Sequence, residues 1–183
     1  AIEQRRGLFH KTQWNSQPVL AGLSCPEHSQ ICNNPAVPTD VSGQAARASA
    51  ADIDLALQTA VVWKATLVER GEILKRAADL FEENDGELFA LLTREAGKTL
   101  PDAVSELRES VDFLRYYAGE INHAPALGLV SCISPWNFPL AIFTGQIAAA
   151  LAAGNAVLAK PAEQTPLIAY FATCLLHQAG VPR

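Results

Sequence analysis

The residues best suited to chemistry sit in two short segments near the C-terminal end. Ser134-Pro135-Trp136-Asn137-Phe138-Pro139 sets an amide between an indole and a phenyl ring. Its two prolines exclude both a helix and a paired ladder there. An Asn N–H2 group held stiffly in such a turn can donate to a developing oxyanion, a contact worth about 2.7–4 kcal/mol to a transition state. The same amide could instead serve only the backbone of its own turn. The second segment carries Lys160 and Glu163, the only internal charges after residue 123. Three residues apart at a strand-to-helix turn, they could bond the hydroxyls of a diol such as ribose, or form an ordinary surface ion pair. No G-x-G-x-x-G and no G-x-x-x-x-G-K-[ST] occurs, so neither standard phosphate loop applies.

The four cysteines, Cys25, Cys32, Cys132 and Cys174, fit no disulfide framework in a chain of this size. Cys25-x-x-His28-x-x-x-Cys32 has the outline of a metal half-site, but tetrahedral zinc needs a fourth ligand that the spacing does not supply, so no metal site is expected. Cys132 lies in an apolar run and reads as a small buried hydrophobe rather than a nucleophile.

The elements that must position these residues follow from periodicity. Leu127 to Ile133 suits a buried strand, Leu140 to Ala153 an Ala-rich helix stopped by Gly154, and Ala156 to Ala159 a second strand. Thr165 is placed to cap, and Pro166 to open, a last helix whose inward face is Ile168, Phe171, Ala172, Leu175 and Leu176, with Gly180 as its stop. Strand, helix, strand, helix is the order of a parallel βαβ unit, and ligands of open parallel sheets bind beyond the carboxyl ends of the strands. Upstream, residues 51–123 are expected to be helical. Ile53, Ala56, Leu57, Ala60 and Val61 form one stripe on a short helix. A capping box at Thr66-x-x-Glu69 starts a second, running through about residue 94 on Ile73, Ala77, Leu80/Phe81, Leu88 and Leu91/Leu92. A third begins at Pro101 on Val104, Leu107, Val111, Leu114 and Ala118, and the charged residues between these stripes are read as solvated faces. Residues 1–50, rich in Pro, Asn, Ser and Gln, are expected to be an irregular arm with one short strand.

The 183 residues are 49% hydrophobic and 18% charged with a formal net charge of −5. That balance lacks the basic footprint of a nucleic-acid binder. The last 60 residues carry only Lys160, Glu163 and Arg183 as charges. The run from Leu140 to Ala159 is nevertheless interrupted by Thr144, Gln146 and Gly154-Asn155, too often for a membrane span. A sheet covered on both faces explains the same apolar character. With no apolar stretch in Ala1–His10 to act as a signal, the cytoplasm is the expected location.

Ile133 to Leu140, followed at matching distance by Gly154-Asn155-Ala156-Val157-Leu158-Ala159-Lys160-Pro161-Ala162-Glu163-Gln164-Thr165-Pro166, resembles the consecutive cofactor-domain motifs of the NAD(P)-dependent aldehyde dehydrogenases. Cys132 to Gln146, together with Arg94-Glu95-Ala96-Gly97-Lys98-Thr99-Leu100 and Val111 to Ala118, is similar to the L-glutamate γ-semialdehyde (Δ1-pyrroline-5-carboxylate) dehydrogenase branch found in bifunctional proline utilization. The resemblance runs from about residue 33 to the C-terminus.

It implies an α/β fold in which an N-terminal helical segment precedes the first parallel βαβ unit of an incomplete Rossmann-like NAD-binding domain. The implied boundaries are 1–50, 51–123 and 124–183, with the catalytic domain absent. Asn137 would be the side-chain half of the oxyanion hole. Ile133, Ser134, Pro135 and Trp136 would lie along NAD, with Trp136 toward the nicotinamide, and Phe138 would face the aldehyde's aliphatic chain. Lys160 and Glu163 would hold the adenosine ribose, and a carboxylate there should favour NAD over NADP. The partners implied are a small-molecule aldehyde and further copies of the full-length chain in a homo-oligomer. The family's nucleophilic cysteine and general-base glutamate would lie beyond Arg183, since neither Cys132 nor Cys174 matches the nucleophile's motif. The chain alone is therefore expected to be inactive. Two connections, near Val61-Trp63 and near Asn122-Pro125, look short against the family pattern. The alternative reading is a truncated noncatalytic relative kept for binding or assembly.

Overall fold

A computed structural model describes residues 1–26, 28–120 and 125–183. The first fifty residues are not the expected irregular arm. They hold a short helix, α1 (Ile2–Gly7), and three strands, β1 (Trp14–Ser16), β2 (His28–Asn34) and β3 (Val37–Arg47). Strands β2 and β3 pair antiparallel around Asn34-Pro35-Ala36, where the Ala36 N–H donates to Asn34 Oδ1 at 3.0 Å. Strand β1 adds to β3 in parallel, giving the order β1-β3-β2. These strands lack a cleanly alternating apolar face; Cys32 and Ala45 reach the core, and polar bonds from a neighbouring helix add to the attachment. The Arg94 guanidinium donates to both oxygens of Asp40 (3.1 and 2.8 Å) and to the carbonyls of Phe9 and Thr12 (3.1 and 2.6 Å). It also lies 5.1 Å from the centre of the Trp14 ring.

The helical section follows its periodic pattern with two departures. In α2 (Ala50–Thr59) the expected inward stripe points outward, leaving Ile53 47% and Leu57 51% exposed. The helix is docked instead through its polar first turn. Asp52 is buried, caps the helix through the Ser49 N–H and accepts the Cys25 N–H at 2.9 Å. The capping box of Thr66 and Glu69 opens α3 (Leu67–Glu83) as expected. The single helix expected through residue 94 is broken at Asn84, after which α4 (Asp85–Arg94) begins. Asn84-Asp85-Gly86 is a run of poor helix formers, and the Asn84 amide donates to the Leu80 carbonyl at 2.7 Å. Helix α5 (Leu100–Gly119) starts at the Thr99 cap with Pro101 in its first turn. Leu74, Phe81, Leu88, Leu91, Leu92 and Leu114 are fully buried and form the centre of the core.

The last section is β4 (Leu129–Ile133), α6 (Ala141–Ala152), β5 (Ala156–Lys160) and α7 (Pro166–Ala179). Strands β4 and β5 pair in parallel from Leu129↔Ala156 to Ile133↔Lys160, the expected βαβα order. Asn155 is more than the break it resembles in the sequence. Its Oδ1 accepts the N–H groups of Leu127 and Gly128 (2.6 and 3.1 Å), fixing the entry into β4. Helix α6 crosses α5 closely at Gly145, where a Cβ would lie 2.9 Å from the Phe113 ring. Part of the Asn122-Pro125 connection, and the expected boundary at 123–124, lie outside the described residues.

Thr165 does not cap α7. Its Oγ1 is buried without a partner, and the orphan N–H groups of Leu167 and Ile168 donate to the buried carboxylate of Glu95 at 2.7 and 2.9 Å. Burial pushes the Glu95 carboxyl up to about 8, outweighing the two N–H bonds that pull it down. The folded state therefore binds this proton more tightly than the unfolded chain, whose ordinary value is 4.5. The associated stability is full below the unfolded value and is lost as pH rises through the folded one. Melting temperatures should accordingly fall between about pH 5 and about pH 9, with Glu95→Gln flattening that slope. Equal slopes in the two proteins would exclude Glu95 as its source.

Candidate active site

The parallel register ends β4 and β5 at the same level, and the Ser134 N–H donates to the Lys160 carbonyl at 3.1 Å just beyond them. The loops 134–139 and 161–165 therefore leave one edge of the sheet side by side, where bound ligands of open parallel sheets sit. Ile133 and Trp136 are 65% and 56% exposed and form an apolar ledge on that edge, while Ser134 is buried beneath it. Asn137 is exposed and lines an open hollow of about 460 Å³ together with Trp136, Phe138, Lys98 and Glu106. A larger groove of about 600 Å³ runs along α5 past Arg108 and Tyr116, but neither loop reaches it.

Lys160 and Glu163 close on each other, Nζ to Oε1 at 2.8 Å, with both side chains more than half exposed. The bond from Lys160 holds the Glu163 carboxyl below its ordinary range. A diol entering here meets a charged donor and a charged acceptor already facing the same solvent. The β2–β3 hairpin braces this loop: the Gln30 amide donates to the Glu163 carbonyl at 2.6 Å, and Arg47 Nε to Gln30 Oε1 at 3.0 Å. Nothing in the Gln30 and Arg47 side-chain types announces that contact across more than a hundred residues.

Two further residues escape the sequence reading. Glu106, on α5 between apolar positions, was expected on a solvated face but is 1% exposed. Its Oε1 accepts the N–H groups of Leu140 and Ala141 (2.8 and 3.2 Å) at the start of α6, directly after the Asn137 loop. Lys98 Nζ lies 2.8 Å from Glu106 Oε2, as an ion pair rather than an aligned hydrogen bond, and 4.2 Å from the centre of the Phe138 ring. The only signal in the sequence was the presence of Lys98 in Arg94-Glu95-Ala96-Gly97-Lys98.

Two of the cysteines lie where a thiolate is disfavoured. Cys132 is buried, and burial raises its thiol above the usual value. Cys25 and His28 are exposed whereas Cys32 is buried, its thiol pushed up to about 11 by burial first and by Glu95 second. No group of three metal-ligating residues comes together among the described residues. None of the described helices is long and apolar enough to cross a membrane.

The sequence model of the aldehyde dehydrogenase family matches residues 25–183, including both loops and every helix from α2 onward. The chain belongs to the aldehyde dehydrogenase family. Over 182 residues it is 53% identical to the bifunctional protein PutA of Salmonella typhimurium, covering 93% of this chain and 14% of that protein. It is 40% identical to a 1-pyrroline-5-carboxylate dehydrogenase of Anoxybacillus flavithermus, over 90% of this chain and 36% of the relative. Among solved structures, the 1-pyrroline-5-carboxylate dehydrogenase from Thermus with bound NAD superposes with a TM-score of 0.86 at 30% identity, over 99% of this chain and 40% of that one. The chain thus spans between a seventh and two fifths of these relatives. Within the aldehyde dehydrogenase fold it is an N-terminal part, mixed α/β as the motifs implied.

Proposed function

We propose that these residues form the opening part of an NAD-dependent dehydrogenase that oxidises L-glutamate γ-semialdehyde to glutamate. The observation that carries this reading is the level ending of β4 and β5, which sets Asn137 and the Lys160–Glu163 pair on one edge of the sheet. Its similarity to relatives named for PutA and 1-pyrroline-5-carboxylate dehydrogenase supplies the substrate class.

The residues fit the adenosine end of NAD and not its pyrophosphate. The exposed pair offers a cation and an acceptor to ribose hydroxyls, and Ile133 and Trp136, with Pro135 between them and Ser134 buried beneath, give a ledge that a dinucleotide can lie along. The starts of α6 and α7, which would attract a pyrophosphate, are already taken by Glu106 and Glu95. When bound, NAD accepts the hydride leaving the aldehyde carbon. Asn137 would donate its amide N–H to the oxygen of the tetrahedral adduct formed when a cysteine from a later segment attacks. Phe138, 39% exposed at the hollow, would pack on the aldehyde's methylenes.

The test is a protein extended past Arg183 through the family's cysteine motif, mixed with NAD and the semialdehyde. NAD reduction that depends on both is expected, and its absence from a folded protein would overturn the reading. Glu163 also predicts cofactor preference, because its ionised carboxylate repels a 2′-phosphate. Glu163→Ser should raise kcat/KM for NADP relative to NAD by roughly tenfold, near the lower end of what a unit charge about 4 Å away supplies at a protein surface. An unchanged ratio would remove Glu163 from the ribose site.

A further inference from the structure

The Lys98–Glu106 pair is not needed to hold α5 in place, since α5 is already capped by Thr99 and anchored by Leu107, Val111 and Leu114. Its contacts converge on the segment that carries Asn137. One Glu106 oxygen takes both N–H groups that follow Pro139. The other lies beside the Lys98 ammonium, which sits over the ring of Phe138, the residue next to Asn137. Glu106 thus fixes the exit of the loop, and Lys98 fixes the ring at its centre. Asn137 has no hydrogen bond to a described residue that would orient it directly, so its position follows from Phe138 and from the fixed exit at Leu140 and Ala141. Burying a carboxylate to 1% exposure is costly and is offset only by the bonds it makes. Here they hold the one turn whose geometry a reaction would feel.

We infer that Glu106 and Lys98 are positioning residues for the oxyanion donor Asn137, acting through Leu140, Ala141 and Phe138. This inference rests on the role proposed above for Asn137. Glu106 acts in this role through the backbone N–H groups it accepts. It keeps the amide within the few tenths of an ångström that an oxyanion contact demands. A misplacement of about 1 Å costs as much as 10²-fold in rate.

The test uses the full-length dehydrogenase and two substitutions, Glu106→Leu and Lys98→Met, each alone and combined with Asn137→Ala. Each single variant should lower kcat by roughly tenfold or more, while KM for NAD shifts by less than about twofold. Combined with Asn137→Ala, each should cost less than about a further twofold, because the group being positioned is gone. Lys98→Arg, which keeps a cation over Phe138, should restore most of the rate. The same factor lost with and without Asn137, or no loss in either single variant, would overturn the inference.

Hydrogen–deuterium exchange over residues 134–141 gives a readout independent of turnover. The amides of Leu140 and Ala141 should exchange faster in Glu106→Leu, and the segment as a whole faster in Lys98→Met. If the parent protein oxidises no semialdehyde, the function proposed above fails by itself. Unchanged exchange in both variants would then still overturn the role of the pair. Lys98 lies nearer the surface, with its side chain 14% exposed, so Lys98→Met carries the test should Glu106→Leu not fold.

Discussion

Under the proposed function, replacing Asn137 by Ala in a protein extended through the family's cysteine motif is expected to lower kcat roughly 10²–10³-fold, with KM for NAD nearly unchanged. The split follows from where the amide acts. An aldehyde oxygen carries little charge in the ground state and nearly a full charge in the tetrahedral adduct, so a donor aimed at it strengthens on the way to the transition state and leaves binding almost untouched. Asn137 is suited to that role because it is exposed in the hollow and its turn is held at both ends. Pro135 and Pro139 restrict the backbone, and the Glu106 bonds fix residues 140 and 141. Asn137→Asp should be at least as slow, since a carboxylate in place of the N–H2 group repels the oxygen it would have stabilised. Steady-state kinetics at saturating NAD decide the matter. A turnover number within about threefold of the parent in Asn137→Ala would end the oxyanion assignment.

The parts of this site that were legible in the sequence are those whose information is local. Pro135 and Pro139 announce a rigid turn, Gly154 and Lys160-Pro161 bracket a short strand, and Thr66-x-x-Glu69 states its own capping box. The supporting bonds were not legible because they join residues far apart. Glu95 lies 72 residues from Leu167, and Glu106 lies 34 from Leu140. Each is a carboxylate in a stretch where other carboxylates face water, and only the packing of one helix against the start of another distinguishes it. Thr165 misled for the same reason. A threonine before a proline is a sound local cap, but a buried carboxylate had already taken its N–H groups. The outward face of α2 is the converse case, a stripe with helical spacing whose polar edge carries the stronger attachment.

The strands of the first fifty residues carry few apolar contacts, chiefly Cys32, Ala45 and Trp14, and a distant side chain, Arg94, ties them down with polar bonds, which gives the second large prediction. Arg94→Met should destabilise the chain by about 3–5 kcal/mol, the range found when one partner of a buried ion pair is removed. Arg94 is 9% exposed and its guanidinium serves five acceptors, the two Asp40 oxygens and the carbonyls of Phe9, Thr12 and Val41. Methionine can fill much of the volume and leaves all five without that donor. The Asp40 side chain is 32% exposed, so water can reclaim part of its solvation and the lower end of the range is the better expectation. Urea unfolding gives the loss, and amide exchange locates it: residues 37–47 should lose protection before the buried residues of α3. The pair also has a pH signature. Arg94 holds the Asp40 carboxyl below its ordinary 3.8, so its stabilisation is present above that value and is lost as pH falls through the lowered one. The difference in stability between parent and Arg94→Met should therefore narrow below about pH 4. A difference that stays constant into acid would mean that the three carbonyls and the Trp14 ring, rather than the carboxylate, account for what Arg94 contributes.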